Sequence, residues 1–282
     1  MPQASIGIGP RAGRIAIFTH SAVPDSKGGA APSCCKGDRC MDERPRLGVL
    51  GGMGPLATAD FMRKVVEATP ASCDQDHIPM MVHSVPQIPD RSAAFLSGSD
   101  APWPYLRAGL SCLEALNVRA IAIPCNTAHL WYERLSRTSD VPLLHIGEAA
   151  AQAVLAQEGR IRKVGLLATS ATLKGEIYQA RLQARGVEVV LPDSAVQQEL
   201  VMPGIQAVKS GNLALGAELL QEACARLRKT RIDGLLLGCT ELPVVMPTTG
   251  LEIPVFDTTD LLARSCVAWW MQQTTGCSFA RG

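Results

Sequence analysis

From about Arg46 onwards, short apolar runs alternate with longer stretches whose apolar positions recur every three or four residues. Short apolar runs are typical of buried strands, and the longer period is typical of amphipathic helices. Strands that alternate with helices pack as parallel sheets joined by right-handed crossovers. The pattern therefore predicts an α/β protein with parallel sheets, in which ligands bind outside the carboxyl ends of the strands.

The same order of elements occurs twice along the chain. The apolar run from Lys163 to Ala168 repeats the run from Arg46 to Leu50, and a turn of small residues and a helix follow each. Each half later contains a second strand that ends in a cysteine, Cys125 in the first half and Cys239 in the second. Similar order at similar spacing predicts two homologous halves. A chain of 282 residues is long enough for these halves to form two medium lobes or one large α/β domain.

These periods divide the chain into four predicted segments: a disordered leader (1–45), a first α/β lobe (46–150), a second α/β lobe (151–257) and a C-terminal helix (258–282) that packs back on the first lobe. The leader is rich in Gly, Pro, Ser and Ala and shows no sustained period. Cys34, Cys35 and Cys40 lie close together there, but no fourth metal ligand is near them. Met41 precedes the first strand, so we hypothesise that the natural chain starts there.

Charge and composition leave a small molecule as the expected partner. The chain has 27 Lys and Arg against 26 Asp and Glu, so nothing in its charge favours nucleic acid or an acidic membrane surface. No apolar run approaches the roughly 20 residues that span a bilayer. We expect no signal peptide, because the first 45 or so residues hold no apolar core of signal-peptide length behind a basic start. We expect a cytoplasmic protein whose ten cysteines are mostly reduced.

Two stretches of the first half have features of a binding site. Gly51-Gly-Met-Gly-Pro55 joins a strand to a helix, and such a turn brings backbone N–H groups close to an anion. It does not match the GxGxxG pattern of NAD-binding proteins, so a small carboxylate or phosphate fits better than a dinucleotide. Arg91 ends a proline-rich loop. It is either a solvated loop charge or a planar fork for a substrate carboxylate.

Cys125 and Cys239 each follow an apolar strand and precede a predicted helix. Backbone N–H groups at a helix start favour the thiolate, so we predict that both cysteines have a lowered pKa. Four chemistries use such groups: a redox pair, acyl transfer with His129 as the base, a metal site, and proton transfer on both faces of one carbon. Only the last makes use of the duplication. The alternative of an inert core cysteine remains open for each.

Three motifs resemble the aspartate/glutamate racemase superfamily, and most of all its cofactor-independent aspartate racemase branch. They are LGVLGGMGPLAT (47–58), PCNTAH (124–129) and GCTEL (238–242). The resemblance covers the chain from about Arg46 to the C-terminal helix. It implies two pseudo-symmetric Rossmann-like lobes with the active site in the cleft between them, a homodimer, and catalysis without pyridoxal phosphate or metal.

The resemblance also implies roles for individual residues. Cys125 and Cys239 match the catalytic pair, one removing the α-proton while the other donates a proton to the opposite face. Arg91 and Lys209 match the residues that hold substrate carboxylates. The remaining matches form a small polar cradle for the amino acid, with Thr169 the weakest of them: Met53, Gly54, Asn126, Thr127, Thr169 and Thr240.

Two stretches depart from the usual pattern of the superfamily. The second-half turn reads LLATSATLKG, and the segment before Lys209 begins VMPGIQ. Both lie near the expected substrate, so the resemblance does not fix strict aspartate specificity. The predicted function is an amino-acid racemase for aspartate or a similar acidic amino acid. The alternatives are a maleate isomerase, a hydantoin racemase or a malonate decarboxylase of the same superfamily, or a non-catalytic amino-acid-binding protein.

Overall fold

The computed structural model describes residues 44–157 and 161–276. The predicted disordered leader, apart from its last two residues, lies outside this range. So do Cys34, Cys35, Cys40 and the hypothetical start at Met41.

The first half of the described chain contains four strands and five helices. Its strands are β1 (Leu47–Gly51), β2 (Met80–Ser84), β3 (Ala120–Ala122) and β4 (Leu143–Leu144). Its helices are α1 (Pro55–Ala68), α2 (Arg91–Ser97), α3 (Trp103–Ala115), α4 (Tyr132–Thr138) and α5 (Ile146–Ala156). Short 3-10 turns occupy Asp74–Asp76 and Thr127–Trp131.

The second half repeats this alternation. Its strands are β5 (Lys163–Ala168), β6 (Glu188–Val190), β7 (Gly234–Gly238) and β8 (Val255–Asp257). Its helices are α6 (Ser170–Lys174), α7 (Gln179–Gln183), α8 (Ser194–Val196), α9 (Met202–Lys209), α10 (Leu213–Arg228), α11 (Leu242–Val245) and α12 (Thr258–Gly276). A π-helical turn, Gln197–Val201, joins α8 to α9.

Two four-stranded parallel sheets form the framework, and their topologies match. The order is β2-β1-β3-β4 in the first sheet and β6-β5-β7-β8 in the second. Every strand pair in both sheets is parallel. Corresponding strands therefore occupy corresponding places, which confirms the predicted fold class of two pseudo-symmetric Rossmann-like lobes. We call the two sheets with their flanking helices the first and second lobes.

Both faces of each sheet are buried, which is why the central strands are apolar without interruption. In β1, Leu47 and Val49 pack in the core formed with α1 and α12, whereas Leu50 packs with α3 on the other face. In β7, Leu236 packs with α5 and α7, and Leu235 faces α10. Because successive side chains of a strand point to opposite faces, each sheet has a hydrophobic core on both of its faces.

The structure corrects three details of the sequence reading. The single helix predicted from Leu173 to Gly186 is broken between α6 and α7, because Gly175 packs against Leu130 and Glu176 adopts a left-handed conformation with φ of 52°. Arg91 does not end a loop but begins α2. Asp257, rather than a threonine, accepts hydrogen bonds from the first backbone N–H groups of α12.

A buried ion pair joins the first lobe to the start of α12. Lys64 on α1 bonds Asp60 and lies 2.6 Å from Asp257, and the side chains of Lys64 and Asp257 are less than one-tenth exposed. Burial raises the pKa of Asp257 even though the Lys64 ammonium lowers it. α12 also packs along α1 and α5. Within the described range, no helix is both long enough and apolar enough to cross a bilayer.

We predict that Lys64→Met strongly destabilises the fold. The substitution leaves the Asp257 carboxylate buried without its cation, a change that typically costs about 3–5 kcal/mol. The matched control is Arg63→Met on the same helix, because Arg63 is exposed and its ion pairs should contribute about 1 kcal/mol or less. Urea unfolding measures both free energies. Equal values for the two variants would contradict the prediction.

Candidate active site

The strand order of each sheet determines where the site lies. In the first sheet the chain runs from β1 outward to β2 and then crosses back to β3, so the direction of winding reverses between β1 and β3. A crevice opens at such a reversal, outside the carboxyl ends of the strands. Met53 and Cys125 follow β1 and β3 there. In the second sheet, Thr169 and Cys239 follow β5 and β7 at the matching place.

One small cavity lies where these two crevices meet, and both cysteines line it. It also brings together most of the residues singled out from the sequence, with Asp90, Ser92 and Glu241 in addition. Its lining residues are Met53, Asp90, Arg91, Ser92, Cys125, Asn126, Thr127, Thr169, Cys239, Lys209, Thr240 and Glu241. The structure therefore gathers side chains from distant parts of both halves around one point.

A wider cleft of about 340 Å³ adjoins this cavity and shares Asp90, Arg91, Lys209 and Glu241 with it. Gly54, the remaining residue of the predicted cradle, lines this cleft and not the cavity between the cysteines. The other walls of the cleft are largely apolar: Pro55, Leu56, Ala57, Pro86, Ile88, Val208 and Val244.

Cys239 is a hydrogen-bonded thiol in a buried setting. It is 4% exposed, and its Sγ donates to Oε2 of Glu241 over 2.9 Å. Burial raises its pKa well above the ordinary value and the Glu241 carboxylate raises it further, whereas Lys209 lowers it. The predicted lowering of the Cys239 pKa is therefore wrong for this ligand-free state. The helix that follows, α11, is only four residues long, so its field does not offset burial.

Cys125 is also buried, but its surroundings differ from those of Cys239. The 3-10 turn Thr127–Trp131, and not an α-helix, follows it. His129 donates from Nδ1 to the carbonyl oxygen of Cys125 over 2.9 Å, and its Nε2 accepts from the backbone N–H of Ile146 at 3.2 Å. Both ring nitrogens thus contact backbone groups, which leaves neither for the thiol. His129 positions the cysteine loop and does not serve as the base that acyl transfer would require.

Two neighbouring histidines are held neutral behind this loop. Burial lowers the pKa of His129 to about 4. Burial, His129 and Arg181 together lower the pKa of His145 to about 2. The Nδ1 atom of His145 accepts from the first backbone N–H groups of α5, and Arg181 Nη2 lies 2.8 Å from its Nε2. At neutral pH both imidazole rings are therefore uncharged.

Arg91 and Lys209 supply the positive charge of the cavity, one from each lobe. Arg91 donates from Nη1 to the carbonyl oxygens of Ile88 and Pro89, which fixes the guanidinium, while its buried Nε has no partner among the described residues. Lys209 Nζ lies 3.9 Å from a carboxylate oxygen of Asp90. Burial lowers the pKa of Lys209, but Glu241, Cys239 and Cys125 together outweigh that effect and raise the pKa, so the ammonium stays charged.

Asn126 and Tyr178 connect the lobes beside the cysteines. The Tyr178 hydroxyl, from the second lobe, donates to Oδ1 of Asn126, and Thr258 Oγ1 lies 3.4 Å from the same oxygen. Burial raises the pKa of Tyr178, which keeps its hydroxyl protonated. The Nδ2 group of Asn126 is buried and has no partner within the described part of the chain. It is therefore a donor available to a bound molecule.

A triangle of threonine hydroxyls forms a second connection between the lobes. Thr127 Oγ1 lies 3.0 Å from Thr169 Oγ1 and 3.0 Å from Thr172 Oγ1, and the last two are 2.9 Å apart. Thr169 also accepts from the backbone N–H of Thr172 and so caps α6. Thr127 and Thr169 thus join the lobes directly at the floor of the cavity.

Sequence reasoning missed several of the residues that complete the site. Glu241 was visible two positions after Cys239 in GCTEL, and Asp90 directly precedes Arg91, but neither spacing by itself predicts a contact. Tyr178 comes from a segment that the sequence presented as ordinary helix, and Thr172 comes from the second-half turn. Within residues 44–157 and 161–276, no three His, Cys, Asp or Glu side chains are grouped as metal ligands.

Two lobes of matching topology, each built on a four-stranded parallel sheet, form the fold of a two-lobed racemase. The chain belongs to the Asp/Glu/Hydantoin racemase family, whose pattern matches residues 50–266. The resemblance found in the sequence is thereby confirmed, and the chain is an amino-acid racemase of a cofactor-independent kind.

Individual relatives agree with this assignment. The broad specificity amino-acid racemase RacX of Bacillus subtilis (strain 168) is 32% identical over 231 residues, covering 80% of this chain and 98% of that protein. The aspartate racemase of Picrophilus torridus is 32% identical with a TM-score of 0.73, covering 80% of this chain and 94% of that one. An aspartate racemase homologue from Pyrococcus horikoshii OT3 is 26% identical with a TM-score of 0.64, covering 80% and 99%.

The neutral His129 gives a prediction about acid stability. Its pKa rises from about 4 in the folded protein to the ordinary 6.5 on unfolding, so the unfolded chain binds more protons between these values. The stabilisation is full above pH 6.5 and decreases as the pH falls towards 4, a loss of about 3 kcal/mol.

We expect His129→Gln to reduce this acid-dependent loss, because the variant has no imidazole to protonate. Urea unfolding of both proteins across the pH range gives the two curves. As the pH falls, the free energy of unfolding of the unaltered protein should decrease more than that of the variant, whatever the stability of the variant at neutral pH. Parallel curves for the two proteins would contradict the prediction.

Proposed function

We propose that this racemase acts on aspartate or a similar acidic amino acid, and that Cys125 and Cys239 are the acid and base on opposite faces of its α-carbon. The observation that carries the proposal is the single cavity lined by both thiols, one from each of two lobes of matching topology. Proton removal from one face and return to the other requires two groups on opposite sides of the substrate.

The unsatisfied donors of the cavity support a substrate with two carboxylates. Arg91 Nε and Asn126 Nδ2 are buried donors without partners among the described residues, and a carboxylate would satisfy them. Lys209 provides a second cation, held only by a 3.9 Å contact with Asp90. A substrate with one carboxylate would occupy only one of these two cationic positions.

The proposed racemisation consists only of proton transfers. One thiolate takes the α-proton, so the Cα–H bond breaks, an S–H bond forms and the electron pair moves into the carboxylate. The other thiol gives its proton to the opposite face of the α-carbon and becomes the thiolate. Fixed donors such as Arg91 and Asn126 stabilise the charge that accumulates on the carboxylate oxygens, because they need no rearrangement as it develops.

A broader substrate range is the second candidate, and the adjoining cleft favours it. The cleft of about 340 Å³ has apolar walls that include Leu56, Ile88 and Val244, which would accommodate side chains longer or less polar than that of aspartate. A relative named a broad specificity amino-acid racemase agrees with such a range. A homodimer and a cytoplasmic location stay predictions.

The two-thiol mechanism predicts the loss of activity in either cysteine variant. Cys125→Ser and Cys239→Ser should each lower racemisation of L-aspartate by about 10²–10⁴-fold, because a hydroxyl is a far weaker acid than a thiol. The measurement is NMR of the α-proton in D₂O together with chiral analysis of the product. Cys112→Ser is the control, because Cys112 is exposed on α3. Full activity in either cysteine variant would refute the mechanism.

Comparison of substrates tests the proposed role of Lys209. We expect Lys209→Met to lower kcat/KM for aspartate by about 10²–10³-fold, the size of effect seen when one oxyanion donor is lost. A neutral amino acid such as alanine should lose much less, since it has no second carboxylate. The ratio of the two kcat/KM values measures the effect. An equal loss for both substrates would show that Lys209 does not recognise the side chain.

A further inference from the structure

Glu241 is the one carboxylate in contact with a cysteine of the cavity among the residues that the structure describes. Its side chain is buried, with 4% of the residue exposed. Oε2 accepts from Cys239 Sγ at 2.9 Å and lies 3.4 Å from Thr240 Oγ1. Oε1 is buried and has no hydrogen-bond partner within the described range.

A purely structural role does not account for this geometry. Glu241 stands at the start of α11, but its side chain makes no capping hydrogen bond to that helix. A buried carboxylate oxygen without a partner is unfavourable, so a residue that only held the loop would be expected to use both oxygens. The side chain instead directs one oxygen at the Cys239 thiol and lies near Lys209, whose pKa it raises.

We propose that Glu241 is a positioning residue that keeps Cys239 protonated in the ligand-free enzyme, so that Cys239 starts the reaction as the proton donor and Cys125 as the base. This inference rests on the proposed two-thiol mechanism. The Cys239 proton passes to the α-carbon while Cys125 takes the proton from the other face. The Cys239 thiolate then lies beside the Glu241 carboxylate, and repulsion between the two anions favours its reprotonation from water. Cys125 gives the proton that it took from the substrate back to water, so that the starting protonation states are restored.

The other ionisable groups around Cys239 are few and come from four separate segments. They are Lys209 on α9, Asp90 and Arg91 at the start of α2, Cys125 after β3, and Tyr178 before α7. Lys209 favours the thiolate form of Cys239, whereas Glu241 opposes it and is the larger of the two influences. Removing the charge of Glu241 should therefore leave Lys209 opposed only by burial and should weaken the hold of Cys239 on its proton.

Glu241→Gln tests this, because glutamine keeps an acceptor oxygen and the shape of the side chain while it removes the charge. The rate of alkylation of Cys239 by iodoacetamide, followed by mass spectrometry of its peptide, reports the thiolate fraction at each pH. We expect the midpoint for Cys239 to fall by about one pH unit or more in the variant. Glu222→Gln, an exposed carboxylate paired with Arg226, should leave it unchanged.

An internal control separates this shift from unfolding. Cys266 is fully buried in α12, so its peptide becomes alkylated only if the fold opens. If Cys266 becomes alkylated in Glu241→Gln, the test uses Glu241→Asp instead. Glu241→Asp should keep a raised alkylation midpoint for Cys239, because it keeps the charge. A midpoint in folded Glu241→Gln at or above that of the unaltered protein would overturn the proposal. So would a fall in Glu241→Asp with Cys266 still protected.

A second readout follows the reaction itself. The pH profile of kcat/KM reports the ionisations of the free enzyme, and the limb that requires the Cys239 thiol should move to lower pH in Glu241→Gln. Alkylation needs no turnover, so the two ideas fail separately. A shifted alkylation midpoint without racemisation of any acidic amino acid would refute the proposed function alone. Racemisation with an unshifted midpoint would refute the role of Glu241 alone.

Discussion

The burial of charged groups where two sheets meet is the constraint on which the site depends. Lys209 and Glu241 come from the second lobe and Arg91 from the first, and all three line one cavity, in which Glu241 and Arg91 are buried and Lys209 is partly exposed. Electrostatic effects are larger there than in water. That is why one carboxylate at 2.9 Å can help decide whether Cys239 holds its proton. The same burial would make substrate carboxylates a favourable complement to the two cations.

The lobes that supply these charges are joined by polar contacts close to the site. The hydroxyls of Thr127 and Thr169 meet across the cavity floor, and Tyr178 bonds Asn126 beside Cys125. Buried hydrogen bonds of this kind fix geometry, because breaking one leaves unsatisfied groups in a place without water. The 3.9 Å contact between Asp90 and Lys209 is by comparison weak and more exposed. The two lobes are therefore firmly joined by the Thr127–Thr169 and Tyr178–Asn126 contacts and only weakly joined between Asp90 and Lys209.

Local pattern was enough for the framework of the protein, whereas most of the cavity lining was named from the resemblance of its motifs to a known family. Apolar runs predicted the strands, and the duplication predicted that Cys125 and Cys239 would converge. What the pattern missed depends on contacts between distant segments. Gly175 ends a helix because Leu130 of the other lobe packs against it, and Glu241 matters because burial brings its charge to a thiol. The predicted low pKa of Cys239 failed for the same reason, since desolvation cannot be read from a strand end and a following turn.

The chemical difference between the two halves has a thermodynamic limit. Two enantiomers in water have equal free energies, so the ratio of kcat/KM in the two directions must be one, whatever surrounds each cysteine. A carboxylate beside Cys239 and a backbone-bound imidazole behind Cys125 therefore cannot favour one product at equilibrium. They can only set which protonation state the free enzyme adopts, and hence how kcat and KM divide in each direction. The pseudo-symmetry of the fold places one thiol on each face of the α-carbon. The unequal neighbours of the two thiols determine which thiol donates a proton and which accepts one in the free enzyme.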